Sequence, residues 1–280
     1  MSPFVFAAVL GAALLHAAWN AVAKVGLDGF AAILLIAMAG GVASFILLPF
    51  FPTPDPASWP YLAVSVALHQ GYNLGLIAAY RTGDFGQVYP LARGGAPLMV
   101  TLAGLLVLGE PLDPGPLVGI LVLVSGVWLM ARRGGGTGLP DRRSVLAALL
   151  TSAFIAGYTV TDGLGGRLAG SPHGYALWLF ALDGVCAAVI YLGVRGWAGI
   201  RALGPALPAG LGGGALSLGA YWTVIWAMTQ APMGMVAALR ETSILFALLL
   251  SVLVLKERAG PWRLAAGGLI ALGAVLLKTL

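Results

Sequence analysis

The sequence predicts an all-α polytopic membrane protein: ten transmembrane helices arranged as two inverted five-helix repeats. Three observations carry that prediction. Of 280 residues, 60% are hydrophobic and 9% charged, with a mean hydropathy of +0.95, whereas soluble domains carry about 25% charged residues. The apolar stretches approach the ~20 residues needed to cross a bilayer as a helix and are separated by Gly, Pro or charged breaks. The second half of the chain repeats distinctive residues of the first. A β-barrel would alternate apolar and polar residues, but runs such as Ile244 to Leu255 do not, so helices are the spanning solution.

Taken in order, the spans are expected at 3–24, 30–51, 59–80, 86–108 and 115–132, then at 145–165, 174–194, 206–228, 233–255 and 262–279. The first has no basic residue before it and carries His16, Trp19 and Asn20, which marks a membrane helix rather than a signal peptide. The breaks hold Pro52, Pro54 and Pro56, then Gly109-Glu110-Pro111 with Asp113-Pro114-Gly115, and Ala259-Gly260-Pro261. One connection reads as a linker, the basic and Gly-rich stretch near the middle. It divides the chain into a first repeat 1–132, a linker 133–144 and a second repeat 145–280.

At an offset of 147 residues Arg93 falls on Arg240, Glu110 on Glu257, Pro114 on Pro261, Leu117 on Leu264 and Gly126 on Gly273, without a gap. An intramembrane Arg, a helix-end Glu and a Pro do not align by apolar composition alone. Five helices per half make the second half enter the membrane from the opposite side, so the repeats are inverted. The odd-numbered connections hold eleven Lys or Arg residues and the opposite side two, Arg167 and Lys278. The positive-inside rule then places the odd connections in the cytoplasm and both termini outside.

The pI of about 9.6 does not point to nucleic acid, because the basic residues lie between hydrophobic segments as topology signals. Cys186 is the only cysteine, which excludes an internal disulfide and a multi-cysteine metal site. Neither a His-Glu-x-x-His pattern nor a G-x-x-x-x-G-K-[ST] phosphate loop occurs. No cofactor, metal or ATP site is expected. Asp162, Asp183 and Glu241 are too scattered to suggest an enzyme.

The paired repeats, the helix-end acids in Leu108-Gly109-Glu110-Pro111 and Leu255-Lys256-Glu257-Arg258, and the fourth-helix segment Tyr89-Pro90-Leu91-Ala92-Arg93 resemble the ten-helix, EamA-type branch of the drug/metabolite transporter superfamily. The resemblance covers nearly the whole chain. It implies export of small metabolites, amino acids foremost, through a central cavity between the halves in a bacterial-type inner membrane. The segments Leu15-His16-Ala17-Ala18-Trp19-Asn20 and Gly86 to Arg93 also resemble a subgroup associated with phosphonate utilisation, which keeps an organic-anion substrate open.

Ionisable groups inside a bilayer are functional candidates. Arg93, Arg240 and Glu241 are the charges singled out, either holding a carboxylate or phosphonate through the two-pronged geometry of Arg or pairing internally to lock helices, Arg240 with Asp162 or Asp183, or Arg93 with Glu241. His16, Asn20 and Lys24 share one helix face, and His69, Tyr72 and Asn73 cluster in the third helix. For both histidines, proton coupling and interhelical hydrogen bonding are the two readings. Trp19, Tyr89, Tyr158 and Trp222 are expected in the cavity wall. The expected partners are therefore a small-molecule substrate and the lipid bilayer, with proton coupling left open as one of the two readings of the histidines.

Overall fold

The computed structural model describes residues 1–23, 28–82, 85–110, 113–133, 142–253, 256 and 260–280, with backbone alone over 76–82, 85–92, 131–133 and 142–144. Among the described residues there is no β-strand. The helices of the first half are α1 (Pro3–Val22), α2 (Gly29–Leu47), α3 (Trp59–Thr82), α4 (Phe85–Leu106) and α5 (Pro114–Arg133). Those of the second are α6 (Arg142–Leu168), α7 (Pro172–Ala202), α8 (Leu207–Met228), α9 (Met233–Arg240), α10 (Ser243–Leu253) and α11 (Pro261–Thr279). Short polar residues start several of them. Asp28 Oδ1 accepts from the Ala31 amide at 2.9 Å and Ser171 Oγ from the Gly174 amide at 3.1 Å, satisfying amides that have no partner within the helix.

Among the described residues six segments are long and apolar enough to cross a membrane: Pro3–Val22, Gly29–Phe50, Val145–Leu168, Pro172–Ala202, Met233–Leu253 and Pro261–Thr279. Arg93–Leu106 and Pro114–Met130 are shorter apolar helices. The outer surface is apolar, with Phe4, Leu106, Val189 and Leu253 largely exposed, as lipid contact requires. The protein is a multi-pass helical membrane protein.

Exchanging the first five helices for their counterparts maps the packing onto itself. α1 packs on α8 as α6 packs on α3; α2 meets α7, α5 meets α11, and α4 lies on α6 as α10 lies on α1. Two of these crossings are made by glycine. A methyl group on Gly41 of α2 would lie 2.8 Å from the Gly184 Cα of α7, and one on Gly273 of α11 only 2.5 Å from the Leu123 backbone nitrogen of α5. Backbones therefore touch, as at small-residue crossings in membranes generally. Gly41→Leu is expected to destabilise the protein by about 1–3 kcal/mol, read as a lowered unfolding transition in detergent, whereas the same change at open Gly268 leaves it nearly unmoved.

Several boundaries differ from the sequence expectation; α2, expected to reach 51, ends at Leu47 and continues as a 3-10 turn over Leu48–Phe50. The ninth span is discontinuous: a turn at Glu241 and Thr242 separates α9 from α10. There the Thr242 hydroxyl donates to the Leu239 carbonyl at 2.7 Å, a local bond that competes with the helical ladder. α7 runs beyond the expected 194 and kinks at Gly196, whose φ of 63° and ψ of −174° lie outside any helix and suit glycine. α6 begins at Arg142 rather than at 145.

Candidate substrate cavity

The discontinuity in the ninth span places its charges. Arg240 ends α9 and Glu241 follows it; at the equivalent place of the first half Gly94 follows Arg93. One acid therefore faces two symmetry-related bases. Arg93 Nε donates to Glu241 Oε2 at 2.9 Å, and Arg240 Nε lies 3.8 Å from Glu241 Oε1. All three residues are buried, Glu241 completely. Of the acids that sequence reading offered to Arg240, neither Asp162 nor Asp183 forms an ion pair with it; Glu241 is the nearer. Among the described residues the Arg240 Nε has no hydrogen-bond partner, and its guanidinium stands 5.8 Å from the Tyr221 ring centre, a cation–π distance.

Arg93 and Arg240 line a cavity with about 770 Å³ of empty space, its open mouth included. Helices of both halves wall it: His16 and Trp19 from α1, His69, Tyr72 and Asn73 from α3, Arg93 from α4, Tyr158 from α6, Asp183 from α7, Tyr221 from α8 and Arg240 from α9. The rings interlock. His69 stacks on Tyr158 at 4.1 Å and 25°, while Tyr72 and Tyr221 meet Tyr158 edge-on at 5.9 and 5.7 Å. Trp19 Nε1 donates to His16 Nδ1 at 3.3 Å. The buried His16 Nε2 has no partner among the described residues. Asp183 accepts from the Gln70 side chain.

Eight of the residues singled out from sequence thus share one cavity: His16, Trp19, His69, Tyr72, Asn73, Arg93, Tyr158 and Arg240. Asn20 turns back to the His16 carbonyl at 2.8 Å. Glu241 lies behind the wall, serving Arg93. Trp222 is elsewhere: its Nε1 donates to His173 Nδ1 at 2.8 Å and its ring meets Phe51 at 5.2 Å. The side chain of Tyr89 lies outside the described residues, as do Lys24, Glu257 and 134–141 of the linker. Asp183, Tyr221, Phe180 and Ser217 also line it, with the apolar side chains of Ile33, Ile36, Ala37 and Leu179. Tyr221 and Asp183 carried a usable signal, a phenol and a carboxylate within apolar spans; Phe180 and Ser217 carried none. Among the described residues no group of three His, Cys, Asp or Glu is placed to hold a metal ion.

The lining reaches Trp19 and Ile33, near the connection between α1 and α2. The other end of the bundle is stitched. Glu110 Oε2 accepts from the Met233 amide at 3.0 Å, at the start of α9. The Glu110 carboxylate also pairs with Arg167, which donates to the carbonyls of Met228 at 2.9 Å and Ala231 at 3.3 Å. The Asp55 amide donates to the Ala169 carbonyl at 3.0 Å, and Phe51, His173 and Trp222 pack together. The Arg167 side chain is 33% exposed, so the ion pair itself contributes about 1 kcal/mol or less. Arg167→Gln is accordingly expected to fold normally. Its expected effect is on opening: faster thiol labelling of a cysteine placed at His173, in a background with Cys186 replaced.

A cavity shared by two halves, midway along helices apolar enough to cross a bilayer, is the construction of a membrane transporter of small molecules. The comparisons agree. A family model described as the EamA-like transporter family matches residues 4–132 and again 142–279; the chain belongs to this family, within the drug/metabolite transporter superfamily. A solved crystal structure of another protein shares the fold, with a TM-score of 0.79 at 17% identity over 100% of this chain and 99% of its own. No curated protein matches the sequence.

Proposed function

We propose that the chain is a secondary carrier exporting small metabolites, amino acids foremost, by alternating access about the central cavity. In this reading ten spans form two inverted repeats, 1–132 and 145–280, joined by the linker 133–144 in a bacterial-type inner membrane. Both termini lie outside, on the strength of the basic residues at the odd connections. The observation that carries the substrate class is the unequal charge at the cavity wall. Two buried arginines share one carboxylate, so Arg240 retains hydrogen-bonding capacity for a substrate carboxylate. Asp183, also in the lining, offers the opposite charge to an ammonium group, and the aromatic rings supply apolar wall.

The same hydrogen-bonding capacity of Arg240 favours a second class, organic anions that include phosphonates. Counterflow in proteoliposomes decides between them. Saturable exchange of labelled amino acids is expected with the reconstituted protein and absent from empty liposomes. Exchange of phosphonates or other organic anions, with none of any amino acid, would establish the second class. No exchange of either set would sink the carrier reading.

A further inference from the structure

Behind the aromatic wall lies a carboxyl group that the cavity lining does not include. Asp162 of α6 is completely buried. Tyr221 Oη donates to its Oδ2 at 2.7 Å and Tyr175 Oη to its Oδ1 at 3.1 Å, and the Ser65 hydroxyl is a third polar neighbour. All three partners are neutral. Among the described residues Asp162 forms no ion pair, unlike Glu241, which has Arg93. A carboxylate in this position is solvated by hydroxyl groups and has no ion-pair partner, a costly arrangement at the centre of a membrane.

Two of the hydroxyls connect it to the cavity. Tyr221 is itself part of the lining. Ser65 Oγ lies 3.2 Å from His69 Nδ1, and the His69 ring also lines the cavity. That nitrogen is 3.0 Å from the Ser65 carbonyl oxygen as well. A carbonyl only accepts, which assigns the hydrogen to Nδ1. Ser65 Oγ is then free to accept from His69 and to give its own hydrogen to Asp162. His69 and Ser65 thus lead from the cavity toward Asp162.

We propose that Asp162 is a proton-binding site loaded from the cavity through His69 and Ser65. A proton from cavity water adds to His69 Nε2; the Nδ1 proton passes to Ser65 Oγ as the Oγ proton passes to the Asp162 carboxylate. One proton enters, one carboxylate becomes a carboxylic acid, and His69 is left neutral in its other tautomer. The groups facing Asp162 from the helices packed against α6 are His69 and Ser65 of α3, Tyr175 and Asp183 of α7, Tyr221 of α8 and Arg240 of α9. Arg93 of α4 is engaged by Glu241. A neutral acid donates one hydrogen, so one of the hydroxyls now facing Asp162 must turn to accept it. The Tyr221 ring lies beside Arg240, and the charge of Asp162 is felt electrostatically at that guanidinium, so loading the site alters the cavity's own cation. The use of the site in transport rests on the carrier reading; the proton site itself does not.

Infrared difference spectroscopy of the protein in lipid, between acidic and alkaline pH, tests the site without any substrate. A protonated-carboxyl carbonyl band that titrates is expected in the wild type. It should vanish in Asp162→Asn, return at a shifted frequency in Asp162→Glu, and appear several-fold more slowly after a pH jump in His69→Gln. Elution and thermal unfolding of each variant establish that it is folded. A titrating band that survives in folded Asp162→Asn, or no titrating carboxyl band in the wild type, overturns the proposal. Failure of the wild type to exchange any amino acid or organic anion would instead overturn the carrier reading and leave the proton site standing.

Discussion

Glu241→Gln is expected to destabilise the protein by about 3–5 kcal/mol, the largest single effect among the cavity residues. The carboxylate is completely buried, sits 2.9 Å from Arg93 and 3.8 Å from Arg240, and neutralises charge for both. Its amide isostere keeps the shape and leaves two buried guanidinium groups without a counter-charge. Unfolding in detergent, followed by intrinsic fluorescence, reads the loss. Pairing the change with Arg93→Met removes one of the stranded charges and is expected to recover part of it. A single variant within about 1 kcal/mol of wild type would mean that the three charges are not electrically coupled.

The second large effect falls on recognition. Arg240→Gln leaves the Arg93–Glu241 bond in place, so the variant is expected to fold. A charge-assisted hydrogen bond contributes about 1.5–3 kcal/mol, so the KM for a carboxylate substrate is expected to rise about 10- to 100-fold. Arg240→Lys should recover little, because an ammonium group lacks the planar fork that meets a carboxylate with two bonds. Counterflow rates across a concentration series separate KM from the maximal rate. An unchanged KM in a folded Arg240→Gln variant would remove this residue from the substrate site.

Much of this architecture could be read from the chain itself, and particular residues show where reading stopped. Arg93 and Arg240 announced themselves as charges in apolar spans at equivalent positions, and the structure brings both to one cavity. Glu241 as the counter-ion of Arg93 was among the pairings the sequence offered, and the structure forms it; that Arg240 also turns to Glu241 rather than to Asp162 or Asp183 depends on how α4 and α9 cross, which no local pattern records. The break in the ninth span had a signal in the consecutive polar residues Glu241, Thr242 and Ser243. Hydropathy averaged over the span conceals it. Trp222 was misdirected for a different reason. A membrane helix is apolar on its lipid face and its packed face alike, so periodicity gives no bearing for an aromatic ring, and His173 with Phe51 fixes it at the stitched end. Asp162 was visible as an intramembrane acid, but its place behind Tyr221 belongs to tertiary packing.

The glycine crossings between the halves also bear on movement. At Gly41 with Gly184, and at Gly273 against Leu123, the surfaces in contact are main chain rather than interleaved side chains. Interleaved side chains resist shear, since each must change rotamer before its neighbour can pass. A backbone-on-backbone contact has almost no teeth. Shear between the halves is therefore opposed least along these lines and most by the polar stitches at one end, Glu110 and Arg167 chief among them. The crossings that hold the halves closest are the ones least able to lock them against sliding.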